Sequence, residues 1–173
     1  VLKGLGPAMI LVERRTSSGG APRVGLVMAF DLEAYDYAAG STSLIRPSEG
    51  TIVERLPPRV AIRRGAVLEL PHIMILVDDP GRTLIEPVYA SRGGLSELYD
   101  FELMLGSGRA RGWKVSDALA LDRLAEALER LADPAAFRAR HGLGESGESR
   151  PPMLFAVGAG TPSLATAMAV GEE

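Results

Sequence analysis

Residues 153–169 read MLFAVGAGTPSLATAMA. An apolar run from Met153 stops at Gly158-Ala159-Gly160, and a helix-forming stretch begins at Thr161-Pro162. Apolar residues bounded by a glycine turn predict a short buried strand over 153–158. Thr161 predicts an N-cap with Pro162 at the first helical position, where a missing N–H costs nothing. A strand feeding a glycine turn and a helix N-terminus can cradle phosphate, because unpaired N–H groups and the helix dipole face the turn. The same pattern also makes an ordinary tight turn, and this one contains no Asp, His, Lys or Arg.

Working outward, AMILVERR (8–15) and RVGLVMAFDLE (23–33) flank TSSGGAP, a hairpin signal. LIRP (44–47) reads as a short extended piece, with Arg46 biased to β by Pro47. Ser48 predicts an N-cap, with Glu49 in the first helical turn and TIVERL continuing it. Pro57 and Pro58 are expected to break that helix, and Pro58 to open a second one that stops at Gly65. HIMILVDDP (72–80), apolar throughout, predicts a central strand, and TLIEPVYA (83–90) its antiparallel partner across the DDPGR turn. ELYDFELM (97–104) and ARGWKV (110–115) predict a further hairpin around LGSGR. Ser116-Asp117 starts a helix whose Leu119, Leu121, Leu124, Leu128 and Leu131 form one broad apolar face. Asp133 caps a short helix opened by Pro134, and LGESGESRPP (143–152) reads as a surface loop. The element order predicts an α+β fold: a single domain over residues 1–173, with a mixed, mostly antiparallel sheet and flanking short helices.

The chain has 173 residues and a net charge of −3, so no global basic field points to nucleic acid as a partner. With no cysteine and only His72 and His141, thiolate and histidine-rich metal sites are excluded, and no metal site is assigned. Asn and Gln are absent and only Lys3 and Lys114 are lysines, a bias that fits a GC-rich genome. No apolar stretch approaches the roughly 20 residues that span a bilayer, and no secretory leader is visible, so no membrane partner and a cytoplasmic location are expected. Val1 in place of Met, and a final helix of two or three turns, lead to the expectation of a fragment.

Several stretches together resemble a bacterial family of uncharacterised proteins, domain of unknown function 1015. They are FDLEAYDY (30–37), SLIRPSEGTIVERLPPRVAIRRGAVLELPHIMILVDDP (43–80), LYDFELM (98–104), GW (112–113) and LFAVGAGTPSLATA (154–167). Members of that family are longer at both ends, which also implies a fragment. Typical members carry GDGNHSLATA where this chain has GAGTPSLATA, so Ala159, Thr161 and Pro162 stand where the family has Asp, Asn and His. Gly158, Gly160 and Ser163 match, Glu49 is kept, and Ser48 replaces Thr. Near LGSGRARGW the family often has a Gly-Gly-His turn, with Arg109 here in place of His. The family's Gly-Asn-His turn and upstream Glu are in turn similar to the ParB/sulfiredoxin-like superfamily. One branch of that superfamily phosphorylates free serine with a nucleotide, so the resemblance implies phosphoryl transfer by fold-level analogy.

Each candidate has a plainer reading beside it. Gly158, Gly160, Thr161 and Ser163 form an anion-binding turn or only a strand-to-helix junction, and Pro162 removes one donor. Glu49 is a general base for a substrate hydroxyl, as the resemblance implies, or a first-turn carboxylate facing the helix dipole. Arg46, Arg59 and Arg63, with Arg55 and Arg64, are an anion-binding group or a solvated face paired with Glu54, Glu69, Asp78 or Asp79. Asp78-Asp79-Pro-Gly is a turn before it is a metal site, Trp113 is core or rim, and His72 is structural. The expected function is that of a family domain whose phosphate or Mg-nucleotide turn has lost its catalytic side chains. Its parent activity would be phosphotransfer to a small, serine-like substrate, impaired in this chain. The alternative is a non-catalytic binding or interaction domain, and the expected partner is a small anionic or phosphorylated ligand.

Overall fold

The structure is a computed structural model that describes residues 4–68, 73–143 and 151–171. It is α+β, with mostly antiparallel pairing and short helices, as the element order predicts. The strands fall into two sheets, and the chain into two compact units: residues 1–29 with 79–129, and residues 30–78 with 130–173.

In the first unit, β1 (Met9–Thr16) and β2 (Arg23–Val27) form the expected hairpin, with Gly19 and Gly20 at positive φ in its turn. A second antiparallel hairpin joins β5 (Ser96–Glu102) to β6 (Gly108–Val115). The sheet order is β2-β1-β6-β5. Gly108 is obligatory at its position: φ is 118° and a Cβ would lie 1.9 Å from the Arg15 carbonyl oxygen. TLIEPVYA is not a strand; residues Ile85–Ala90 form helix α2. The Asp79 carboxylate accepts from the N–H groups of Thr83 (2.6 Å) and Leu84 (2.8 Å), which turns the chain into the helix. Pro87 falls in the first turn of α2, where its missing N–H is tolerated, whereas a strand would lose a ladder bond there. Helix α3 (Ala118–Ala132) begins where predicted, with Asp117 accepting from the Ala120 N–H at 3.0 Å. Leu124, Ala127 and Leu131 are its buried positions, while Leu119 is 56% exposed.

In the second unit, β3 (Ile45–Pro47), β4 (Met74–Val77) and β7 (Phe155–Ala159) form a sheet of order β3-β7-β4. β7 runs parallel to β3 and antiparallel to β4. The central strand is therefore β7, not the apolar run at 72–80, whose described part is an edge strand with Met74 and Leu76 each 56% exposed. Helix α4 (Pro134–Arg140) is capped by Asp133 as predicted. Ser48 caps no helix: residues 48–52 are irregular, and α1 spans Leu56–Arg63 after a 3₁₀ turn at Val53–Arg55. With no helix before them, Pro57 and Pro58 break none; they occupy the first turn of α1, which is the second helix expected to open at this pair and begins two residues earlier than Pro58. Gly65 ends α1 with φ at 76°, as expected. The final helix, α5 (Thr161–Gly171), packs with α1, and the core beneath joins Tyr35, Ile45, Leu56, Val157, Leu164 and Ala165. His72 and Glu69 lie outside the described residues, as does most of the 143–152 stretch.

Candidate functional site

The candidate residues all belong to the second unit. Parallel pairing of β3 with β7 sets Pro47 beside Val157, and Ser48 donates both its N–H (3.0 Å) and its hydroxyl (2.9 Å) to the Val157 carbonyl. The chain leaving β3 thus runs alongside the chain leaving β7, and Glu49 lies at the same end of the sheet as Gly158–Gly160. Glu49 is exposed, outside any helical turn, and its carboxylate has no partner among the described residues.

Gly160, not Thr161, closes the start of α5. Its φ is 89°, and its carbonyl accepts from the N–H groups of Ser163 (2.9 Å) and Leu164 (3.0 Å). Thr161 is the first helical residue and 2% exposed. With Pro162 lacking an N–H and the Ser163 N–H turned onto Gly160, two of the N–H groups at the start of α5 are not free to meet a ligand. A Cβ at Gly158 would meet Leu76 at 3.5 Å, an ordinary contact, so packing within the chain does not demand glycine there.

The arginines divide by the direction of their side chains. Arg46 donates to the Ser41 carbonyl at 2.7 Å and to the carbonyls of Pro151 and Pro152 at 3.3 and 3.2 Å. Those two prolines precede β7, so Arg46 reaches toward the opposite end of the strand from the glycine turn. It ties loops together and is not joined to the other candidates. Arg59 and Arg63 share a face of α1, as their spacing predicts. Arg63 donates to the Ser163 carbonyl at 2.7 Å, which fastens α1 to the first turn of α5. A shallow depression of about 140 Å³ lies there, lined by Arg59, Ile62, Arg63, Ser163 and Thr166. Arg59 is exposed, and its guanidinium has no partner among the described residues. Gly158, Gly160 and Thr161 are not in its lining, so the structure joins Arg59 and Arg63 to Ser163 and leaves the glycines as the neighbouring turn.

On the other side of α1, Val53, Leu56, Pro57, Val60, Ala61, Arg64 and Ala169 line an apolar depression of about 450 Å³. Ile62 and Thr166 entered the site without being read from the sequence. Ile62 lies between the two arginines in the chain, and Thr166 falls one turn after Ser163, so helical spacing was the available signal.

The Asp78 carboxylate takes 3.1 and 2.7 Å hydrogen bonds from Arg140 and lies 2.9 Å from His141 Nε2. Burial pushes its acidity one way, but the bonds from His141 and Arg140 outweigh that and hold the carboxyl below its ordinary value. Asp79 is spent on its own turn, so the Asp pair is structural, in line with the plainer reading. Trp113 is core, 3% exposed, with the Arg111 guanidinium 4.7 Å from its ring centre. Arg109 is paired with Asp100.

The chain matches the model of the family described as "Protein of unknown function (DUF1015)" over residues 1–173, and it belongs to that family. No curated protein and no solved structure matches it.

Proposed function

We propose that this chain binds a small phosphorylated or otherwise anionic ligand where α1 meets the first turn of α5, and that it carries out little or no phosphoryl transfer. The observation that carries this reading is Arg59: an unpartnered guanidinium lining a depression with Ser163 and Arg63, beside the positive end of an 11-residue helix. A planar fork of N–H donors and a helix dipole both favour a phosphate or carboxylate. The depression is small beside the roughly 300–1,000 Å³ of sites that enclose whole drug-sized ligands. It suits the phosphoryl end of a ligand better than an entire nucleotide.

The loss of transfer chemistry follows from the turn. Ala159, Thr161 and Pro162 stand at the positions of Asp, Asn and His in the pattern that the ParB/sulfiredoxin-like analogy rests on. Among residues 47–50 and 157–163 the only carboxylate is Glu49. That donor set does not fit a resident magnesium ion. Losing one group that stabilises developing charge commonly costs about 3–4 kcal/mol of transition state. The competing reading, serine-directed phosphotransfer with Glu49 as base, rests on Glu49 lying at the same end of the sheet as the turn.

Calorimetric titration separates the two, using inorganic phosphate, ADP and ATP with Mg²⁺, with and without free serine. The expected result is saturable binding that weakens about tenfold in Arg59→Ala, the scale of one charge-assisted hydrogen bond. Glu49→Ala should bind like the parent, with no serine-dependent nucleotide turnover in either protein. Absence of heat at millimolar ligand from a folded chain would overturn the binding site. Turnover abolished by Glu49→Ala would restore the catalytic reading.

A further inference from the structure

The sheet of the first unit has two unlike faces. On one, Leu11, Glu13, Trp113 and Val115 are all at most 3% exposed. The strand register places every carboxylate of this sheet on that same side: Glu13 and Asp100 opposite Arg111, Glu97 opposite Trp113, and Glu102 opposite Arg109. The arginines of that side are matched to them. Arg15 lies 3.0 Å from Glu13, Arg109 2.5 Å from Asp100, and Arg111 2.8 Å from Glu97.

The opposite face holds the remaining cations and no acid. One cross-strand row reads Arg23, Arg14, Ala110, Phe101, and the next reads Gly25, Val12, Gly112, Tyr99. Lys114 stands in the row after that. Arg14 and Arg23 are exposed and directly opposite each other, and neither has a partner among the described residues. Like charges facing across a strand pair are destabilising unless an anion comes between them. The floor is kept low by small residues. A Cβ at Gly112 would lie 2.3 Å from the Tyr99 ring, so Tyr99 lies over bare backbone. Phe101, 48% exposed, is 5.6 Å from Tyr99 between ring centres.

We infer that this face is a docking surface for single-stranded nucleic acid, whose phosphates pair with Arg14, Arg23 and Lys114 and whose bases stack on Phe101 and Tyr99. Charge complementarity selects a polyanion, and the aromatic pair selects one that carries ring faces. An acidic protein segment would use the arginines but leave the rings without a stacking partner. Duplex DNA is read by a helix or a narrow ribbon entering a groove, which a broad sheet face cannot do, whereas flat sheets with aromatic residues hold single strands. The net charge of −3 hides the face, because the acids of this sheet are gathered on its other side.

Fluorescence anisotropy of a labelled short oligothymidylate with the full chain tests it. At low salt we expect saturable binding, with log K falling against log salt at a slope of about −2, the value for roughly three phosphate contacts on a single strand. Arg14→Ala and Arg23→Ala should each weaken binding severalfold and flatten that slope. Phe101→Ala should weaken it about tenfold with the slope unchanged. Arg109→Ala, on the other face, should bind as the parent does. All are surface positions, and unchanged circular dichroism of each variant keeps folding apart from binding. No saturable binding at low salt would overturn the inference. So would Phe101→Ala binding like the parent while polyglutamate competes at equal charge, which would point to an acidic protein partner.

Discussion

The guanidinium of Arg46 faces the carbonyls of Ser41, Pro151 and Pro152, while that of Arg59 faces solvent beside Ser163. In sequence both are arginines near proline with the same prospect of meeting an anion. Strand pairing separates them, since it aims Arg46 toward the start of β7 and away from the glycine turn. Replacing Arg46 with Met should therefore act on stability, lowering it by about 1–3 kcal/mol in urea unfolding, the scale of orphaned partly buried acceptors. Its effect on phosphate affinity should be nil, the reverse of Arg59→Ala. A second residue-scale prediction concerns Asp78. Its carboxyl is held below the ordinary 3.8, so its contribution is full above that value and is lost as pH falls through the lower, folded value. The gap in unfolding midpoint between the parent and Asp78→Asn should be open at neutral pH and narrow below about pH 4. A gap that is constant with pH would refute the pairing with Arg140 and His141.

At the scale of elements, some of the chain was legible and some was not, for identifiable reasons. Both hairpins, the Asp133 cap and the glycine stop at Gly65 are written in local chemistry, and local chemistry suffices for turns and caps. The helix at Ile85–Ala90 was not legible, because Leu84, Ile85 and Val88 suit a strand and only the Asp79 carboxylate, several residues upstream, starts the helix. Apolar composition also failed to distinguish the central strand from its edge. Met74 and Leu76 are as apolar as the residues of β7 but lie half in solvent. The helix expected from Ser48 does not form, because Ser48 spends its hydroxyl and N–H on Val157, a partner 109 residues away that no local pattern reveals, whereas the helix expected to open at Pro58 is α1. Element chemistry also predicts that Gly108→Ala disrupts the pairing of β6 with β1. The new Cβ meets the Arg15 backbone at a positive φ, so a loss of about 1–3 kcal/mol or more is expected in thermal unfolding. A variant as stable as the parent would show that the turn can be rebuilt.

At the scale of the whole molecule, family membership rests on a match across residues 1–173, and the two compact units each hold one sheet. Sequence could name the members of the candidate site but not its centre. The sequence offers both Gly158–Ser163 and Arg46, Arg59 and Arg63 as anion binders, and the packing of α1 on α5 brings only Arg59, Arg63 and Ser163 together. Ala159, Thr161 and Pro162 stand out only beside the family pattern that the sequence resembles, not from their own chemistry. The net charge, likewise, carried no trace of the acid-free face on the first unit's sheet, because a sum over the chain cannot register which side of a strand each charge occupies.

The measurement that bears most directly on the central claim is a backbone amide NMR titration of the full chain with inorganic phosphate and then ADP. The account predicts saturable shifts grouped at residues 59–63 and 160–166, lost in Arg59→Ala while the rest of the spectrum keeps its dispersion. Shifts centred elsewhere, or none at millimolar ligand, would contradict it.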